Sequence, residues 1–253
     1  MAVAAETGIR RVEQIMGMPI VVDVRDDVDD GVLDDLFDWF RAVDRTFSTY
    51  KPESEISLIA RGELDSKDAS ADVREILDRC ERLREETYGY FDVRAGGTFD
   101  PSGLVKGWSV DRGALILDRA GVQNYAINAG GDIVLRGGAH PDAVWRVGIQ
   151  HPRLRRAVAA VVEGSDLAVA TSGAYARGAH VLDPHTGGPP TGVLSVTVTG
   201  PELGTADAYA TAAYAMGGEA AAAWTVFLPR GYEAMTILED DRVLLTPSFP
   251  RAG

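Results

Sequence analysis

In the stretch GTADAYATAAYAMG, residues 204–217, nine of the fourteen residues are Ala, Tyr or Met. That composition reads as a helix made for close packing, continuing over 205–222. Asp207 and Thr211 stand four residues apart, so they share one line of this helix. Two readings of the pair are open. An acidic residue in a first turn complements the helix dipole, and Thr205 or Asp207 can act as a cap. Alternatively, both oxygens hold a hard cation such as Mg²⁺, which takes oxygen ligands and leaves positions open for phosphate.

Working outward from this helix, residues 180–201 read as a loop followed by a strand, and 221–249 as a helix end followed by two strands. Further back, 124–138, 145–152 and 159–173 read as strands, and 90–121 as a Gly-rich loop leading into a helix. Residues 10–27 read as a strand. Residues 29–48 place Val32, Leu36, Trp39, Phe40 and Val43 at helical spacing, with the Asp run on the solvated face. A second amphipathic helix covers 70–89. Helices and strands mix without strict alternation, which predicts an α+β fold with mainly antiparallel sheet and packed helices. With no low-complexity linker in its 253 residues, the chain reads as a single domain, 1–253.

Twenty-five Lys and Arg face 38 Asp and Glu, a net charge of −13, which argues against a nucleic-acid surface. Cys80 is the one cysteine, so neither an in-chain disulfide nor a Cys-based zinc site is available. The opening residues MAVAAETGIRRVEQIMG lack a long apolar core, and no apolar run reaches membrane-span length. The expected compartment is therefore the cytoplasm.

Three further stretches carry chemistry. FDPSGLVKGWSVDR (99–112) sets Asp100 and Ser102 ahead of a helix, with Gly103 and Gly107 permitting close backbone approach. The N–H groups of that helix and Lys106 could meet a phosphate, although the spacing is not that of a P-loop, and an ordinary capped helix is the other reading. NAGGDI (128–133) reads as a hairpin turn or as a place where a ligand lies on the backbone. ATSGAYARGAHVLDPHTGGPP (170–190) gathers Thr171, Ser172, Tyr175, Arg177, His180, Asp183, His185 and Thr186; among four histidines, His180 is the best base.

With MGMPI and FSTYKPESEIS nearer the start, these motifs occur in an order that resembles the ApbE family of flavin transferases, from about Met16 to about Gly217. The resemblance implies an α+β fold related to the tunnelling folds, with FAD in a groove between two halves. It implies Mg²⁺-dependent cleavage of FAD at its pyrophosphate, transfer of FMN to a Thr or Ser of a target flavoprotein, and release of AMP. Alternatives are a Mg²⁺-dependent FAD pyrophosphatase and a non-catalytic FAD-binding protein. Metal ligands carry over to the Gly103 carbonyl, Asp207 and Thr211. FAD contacts carry over to Met16, Tyr50, Tyr90, Phe91, Asp92, Asp100, Lys106 and Leu182. The family's occasional second acid, three residues after the first, is here Ala210. His180 or Asp207 is the expected base for the acceptor hydroxyl.

Overall fold

Alternating burial along 9–24 comes from two strands rather than the expected one. Strands β1 (Ile9–Ile15) and β2 (Met18–Val24) pair antiparallel through a turn at Met16 and Gly17, whose φ values are 55° and 72°. A two-residue turn with both residues left-handed matches the twist of the strands it joins, and Gly17 supplies one position without strain. The computed structural model describes residues 8–154, 156–173 and 181–252.

Helix α1 (Asp30–Phe47) buries Leu33, Leu36, Phe37, Phe40, Val43 and Phe47. Its Asp34, Asp35 and Asp38 are exposed, the solvated face expected of the Asp run. The short helix α2 (Glu55–Ala60) starts at Ser54, whose hydroxyl accepts from the Ser57 N–H. Helix α3 (Ala71–Glu86) and helix α4 (Ser102–Arg119) follow. The hairpin of β3 (Tyr125–Ala129) and β4 (Asp132–Arg136) turns at Gly130 and Gly131, with φ of 61° and 106°. Next come β5 (Trp145–Gln150), β6 (Val158–Gly164), β7 (Leu167–Gly173) and β8 (Val193–Gly200). The span 159–173, expected as one strand, thus turns at Ser165 and Asp166.

The helix expected over 205–222 is two helices, α5 (Leu203–Met216) and α6 (Gly218–Thr225). They break at Gly217, whose φ of 68° suits glycine and does not continue a helix. Strands β9 (Glu233–Leu238) and β10 (Val243–Leu245) complete the order.

Eight strands form one sheet in the order β1-β2-β3-β4-β7-β8-β9-β10, and β5 pairs with β6 separately. Every strand pairing is antiparallel. The period of two assigns each face its own layer. Ala168, Ala170, Val196, Val198 and Ala234 join the core beneath the helices. Their neighbours Leu167, Val169, Met235 and Ile237 join a smaller core with Ile149, Ala160 and Val162 of the β5–β6 pair. The molecule is therefore three-layered: helices, the long sheet, and a small hairpin on the far face.

Two helices at the centre set the site. Where α4 meets α5, a Cβ on Gly107 would lie 2.6 Å from the Leu203 carbonyl oxygen and 2.7 Å from the Gly204 Cα. A Cβ on Gly204 would lie 3.0 Å from the Trp108 nitrogen. Paired glycines thus bring the two backbones closer than any other residue pair would allow.

Candidate active site

The glycine crossing places one turn of α4 against one turn of α5. Gly103, one turn before Gly107, lies on Thr211: a Cβ there would sit 3.6 Å from Thr211 Oγ1 and 3.2 Å from the Phe91 ring. Between the two close approaches, Lys106 Nζ lies 3.5 Å from Asp207 Oδ2. Lys106 also forms a short ion pair with Oδ2 of Asp132, the first residue of β4. Asp132 and Asp207 are both 2% exposed. The Asp132 Oδ1 accepts from the Thr171 N–H at 3.0 Å, and the Ser172 and Thr211 hydroxyls lie 3.2 Å apart. Strand β7 thereby adds the Ser172 hydroxyl to the same pocket.

The capping reading of Asp207 and Thr205 does not hold. The first N–H groups of α5, on Leu203 and Gly204, donate to the Asp111 carboxylate at 2.9 and 2.8 Å. Asp111 belongs to α4, so one helix caps the other. Burial pushes the Asp111 carboxyl up to about 6, opposed by those two backbone hydrogen bonds. Thr205 instead donates to Glu202 at 3.1 Å. Asp207 is thus released from helix-end duty and directed into the pocket.

The pocket is lined by Tyr90, Phe91, Asp92, Asp100, Gly103, Lys106, Leu182, Asp207 and Thr211, together with Ser172 and other neighbours. Nine of the site residues expected from sequence are therefore brought together. Met16 and Tyr50 are not among its lining: Met16 forms the β1–β2 turn, and Tyr50 is 95% exposed after α1. His180 lies outside the described residues. Asp100 accepts from the Ser102 N–H at 2.9 Å just ahead of α4, but the N-cap position is Pro101, without a side-chain cap, so the plain capped-helix reading of that stretch is not met.

The DPHTGG segment (183–188) supports one wall through Tyr90. The Asp183 carboxylate accepts from the His185 N–H and the Thr186 hydroxyl, both at 2.9 Å. The His185 ring lies 3.0 Å from the Tyr88 carbonyl oxygen and packs edge-on against Tyr90, with centroids 4.5 Å apart. His185 thus braces Tyr90 at the pocket. Leu182 closes on Gly96, where a Cβ would lie 2.8 Å from the Leu182 side chain.

The donor set fits a hard divalent cation. Asp207, Thr211, Ser172 and the backbone at Gly103 offer oxygen, the ligand Mg²⁺ prefers. Among the described residues, two buried carboxylates, Asp132 and Asp207, face the one ammonium of Lys106. Among the described residues, no three His, Cys, Asp or Glu side chains gather as a metal cluster. Beside Asp207, the described oxygens at hand are the Thr211 and Ser172 hydroxyls, and position 210 is Ala rather than an acid.

Sequence reading missed two residues of this arrangement. Asp111 and Asp132 act through partners 92 and 39 positions away, and although both lie in the motifs above, neither stood out as a site residue there. The two adjacent glycines before Asp132 were the available signal.

Comparison with known proteins gives the same picture. The chain is 39% identical over 130 residues to the FAD:protein FMN transferase of Vibrio cholerae, covering 47% of this chain and 39% of that protein. It is 32% identical over 194 residues to that of Rhodobacter capsulatus, covering 72% of this chain and 36% of the relative. The matches thus span well under half the length of these curated relatives. Among solved structures, the flavin transferase ApbE from Vibrio cholerae superposes with a TM-score of 0.86 at 24% identity, covering 96% of this chain and 98% of that one. The ApbE protein of Thermotoga maritima gives 0.84 at 21% identity, covering 97% and 100%. At these identities the structures speak for the fold. The ApbE family profile matches residues 16–99 and 93–236, which include every residue of the α4–α5 crossing, and the chain belongs to the ApbE family.

Proposed function

We propose that the protein is an FAD:protein FMN transferase that cleaves FAD at its pyrophosphate and joins FMN to a Thr or Ser of a target flavoprotein. The observation that carries this reading is the convergence of Lys106, Asp207, Thr211 and Gly103 at the glycine crossing of α4 and α5. The names of the relatives support the same activity.

Phosphoryl transfer asks for positioning and charge neutralisation more than for covalent work by the protein. The acceptor hydroxyl oxygen forms a bond to the phosphorus of the FMN half. The bridging P–O bond breaks, and AMP leaves with the electron pair. The hydroxyl proton passes to His180 or Asp207. Asp207, Thr211 and the Gly103 carbonyl would hold Mg²⁺, which when bound supplies positive charge to the pyrophosphate oxygens. Lys106 adds a point charge to the same pocket. Tyr90, braced by His185, and Leu182, seated on Gly96, form walls against which a flavin or adenine ring can rest. Side chains from α4, β4, β7 and α5 all serve this one pocket, which supports a single working unit.

The test is incubation with FAD, Mg²⁺ and a candidate acceptor domain. Fluorescent flavin retained by the acceptor in a denaturing gel, with AMP formed in equal amount, is the expected result. AMP and free FMN without labelled acceptor would assign water as the acceptor instead.

A further inference from the structure

We infer that Asp132 is a positioning residue that draws the Lys106 ammonium away from Asp207, so that Asp207 can be given to a divalent cation. The inference rests on the metal-dependent reading above and extends it to a residue outside the proposed ligand set.

Three groups stand in a row. The Lys106 ammonium is paired closely with Asp132 Oδ2 and lies 3.5 Å from Asp207 Oδ2. Both carboxylates are buried, and the Lys106 side chain is largely so. A buried ammonium demands a counter-charge, because removing an ion from water is costly unless it is paired. Asp132 supplies that charge from a fixed place. Its other oxygen is tied to the Thr171 N–H, and its backbone follows a turn whose two glycines both hold positive φ. With Asp132 neutral, the ammonium still has the Asp207 carboxylate at 3.5 Å, and a closer pairing there would compete with a metal ion for that carboxylate. Groups behind a metal's direct ligands control affinity in this way.

The experiment measures Mn²⁺ binding by titration calorimetry without FAD, on the full chain, with circular dichroism to report folding. Asp132→Asn should weaken Mn²⁺ binding by about tenfold or more. Lys106→Met, which removes the competing ammonium, should tighten it. The double variant Asp132→Asn/Lys106→Met should recover affinity relative to Asp132→Asn. That recovery separates charge positioning from a structural role, since a structural lesion would not be repaired by a second loss. Wild-type affinity in Asp132→Asn, or a double variant as weak as Asp132→Asn, would overturn the inference. If Asp132→Asn does not fold, Lys106→Met decides alone: unchanged or weaker Mn²⁺ binding overturns it. If the wild-type chain binds no Mn²⁺, the metal-dependent reading fails and this inference falls with it; if wild type binds and the variants behave alike, only the inference falls.

Discussion

Asp207 and Asp111 divide two tasks that sequence could assign to one residue. Because Asp111 caps α5, the Asp207→Asn variant should keep its fold and lose Mg²⁺-dependent AMP release. Asn keeps the shape but removes the charge that holds a hard cation. Turnover followed across a Mg²⁺ titration checks this, and wild-type AMP release with unchanged Mg²⁺ dependence would move the metal elsewhere. Asp111 makes a second prediction, through pH. Its carboxyl is raised in the folded state from 3.8 to about 6, so the folded chain binds the proton more tightly than the unfolded chain. The stability contributed by that proton is present below the unfolded value and is lost as pH rises through the folded one. The cost of Asp111→Asn, which does not titrate, should therefore shrink between pH 4 and 7, by on the order of 3 kcal/mol at most. Paired urea titrations of both chains at the two pH values measure the difference directly. The sequence showed Asp207 and Thr211 on one line because helical spacing is local. It could not show the Asp111 cap or the Asp132 ion pair, because both depend on how distant elements pack.

At the scale of elements, the α4–α5 crossing is where geometry is least forgiving. Gly107→Ala would drive a Cβ into the backbone of Leu203 and Gly204, which has no flexible side chain to yield. The expected cost is about 1–3 kcal/mol, a fall in Tm of roughly 2–10 °C. Activity should fall further than stability alone explains, since the helices that carry Lys106 and Asp207 are pushed apart. Thermal melting with AMP release on the folded fraction separates the two effects. Gly103→Ala meets a ring edge and a side chain at longer range and should be milder in Tm. Amphipathic helices were legible to within a few residues: 29–48 became α1 (Asp30–Phe47) and 70–89 became α3 (Ala71–Glu86). The breaks at Met16–Gly17 and Gly217 were not read, because apolar residues continue on both sides and positive φ values mark the turns, whereas the break at Ser165–Asp166 lies in a polar Glu-Gly-Ser-Asp stretch whose turn signal was passed over.

At the scale of the molecule, the pocket draws on residues from Tyr90 to Thr211, and one rim is the segment carrying Leu182. An FAD:protein FMN transferase, as proposed, must hold the AMP half as well as the FMN half, so the protein should bind FAD more tightly than FMN. Flavin fluorescence titration tests this, and equal affinity would count against a site that spans both nucleotides. No helix among the described residues is long and apolar enough to cross a membrane.

The order of the chain carries one more consequence, during synthesis. Leu203 and the Asp111 that caps its helix are 92 positions apart, with four of the sheet's eight strands made between them. A growing chain halted before residue 203 presents Lys106 and Asp132 but neither Asp207 nor Thr211. It lacks the carboxylate and hydroxyl that α5 brings to the pocket. On the proposed function, ribosome-arrested chains ending before α5 should retain FAD far less well than chains released in full, whose retention should begin as that helix docks.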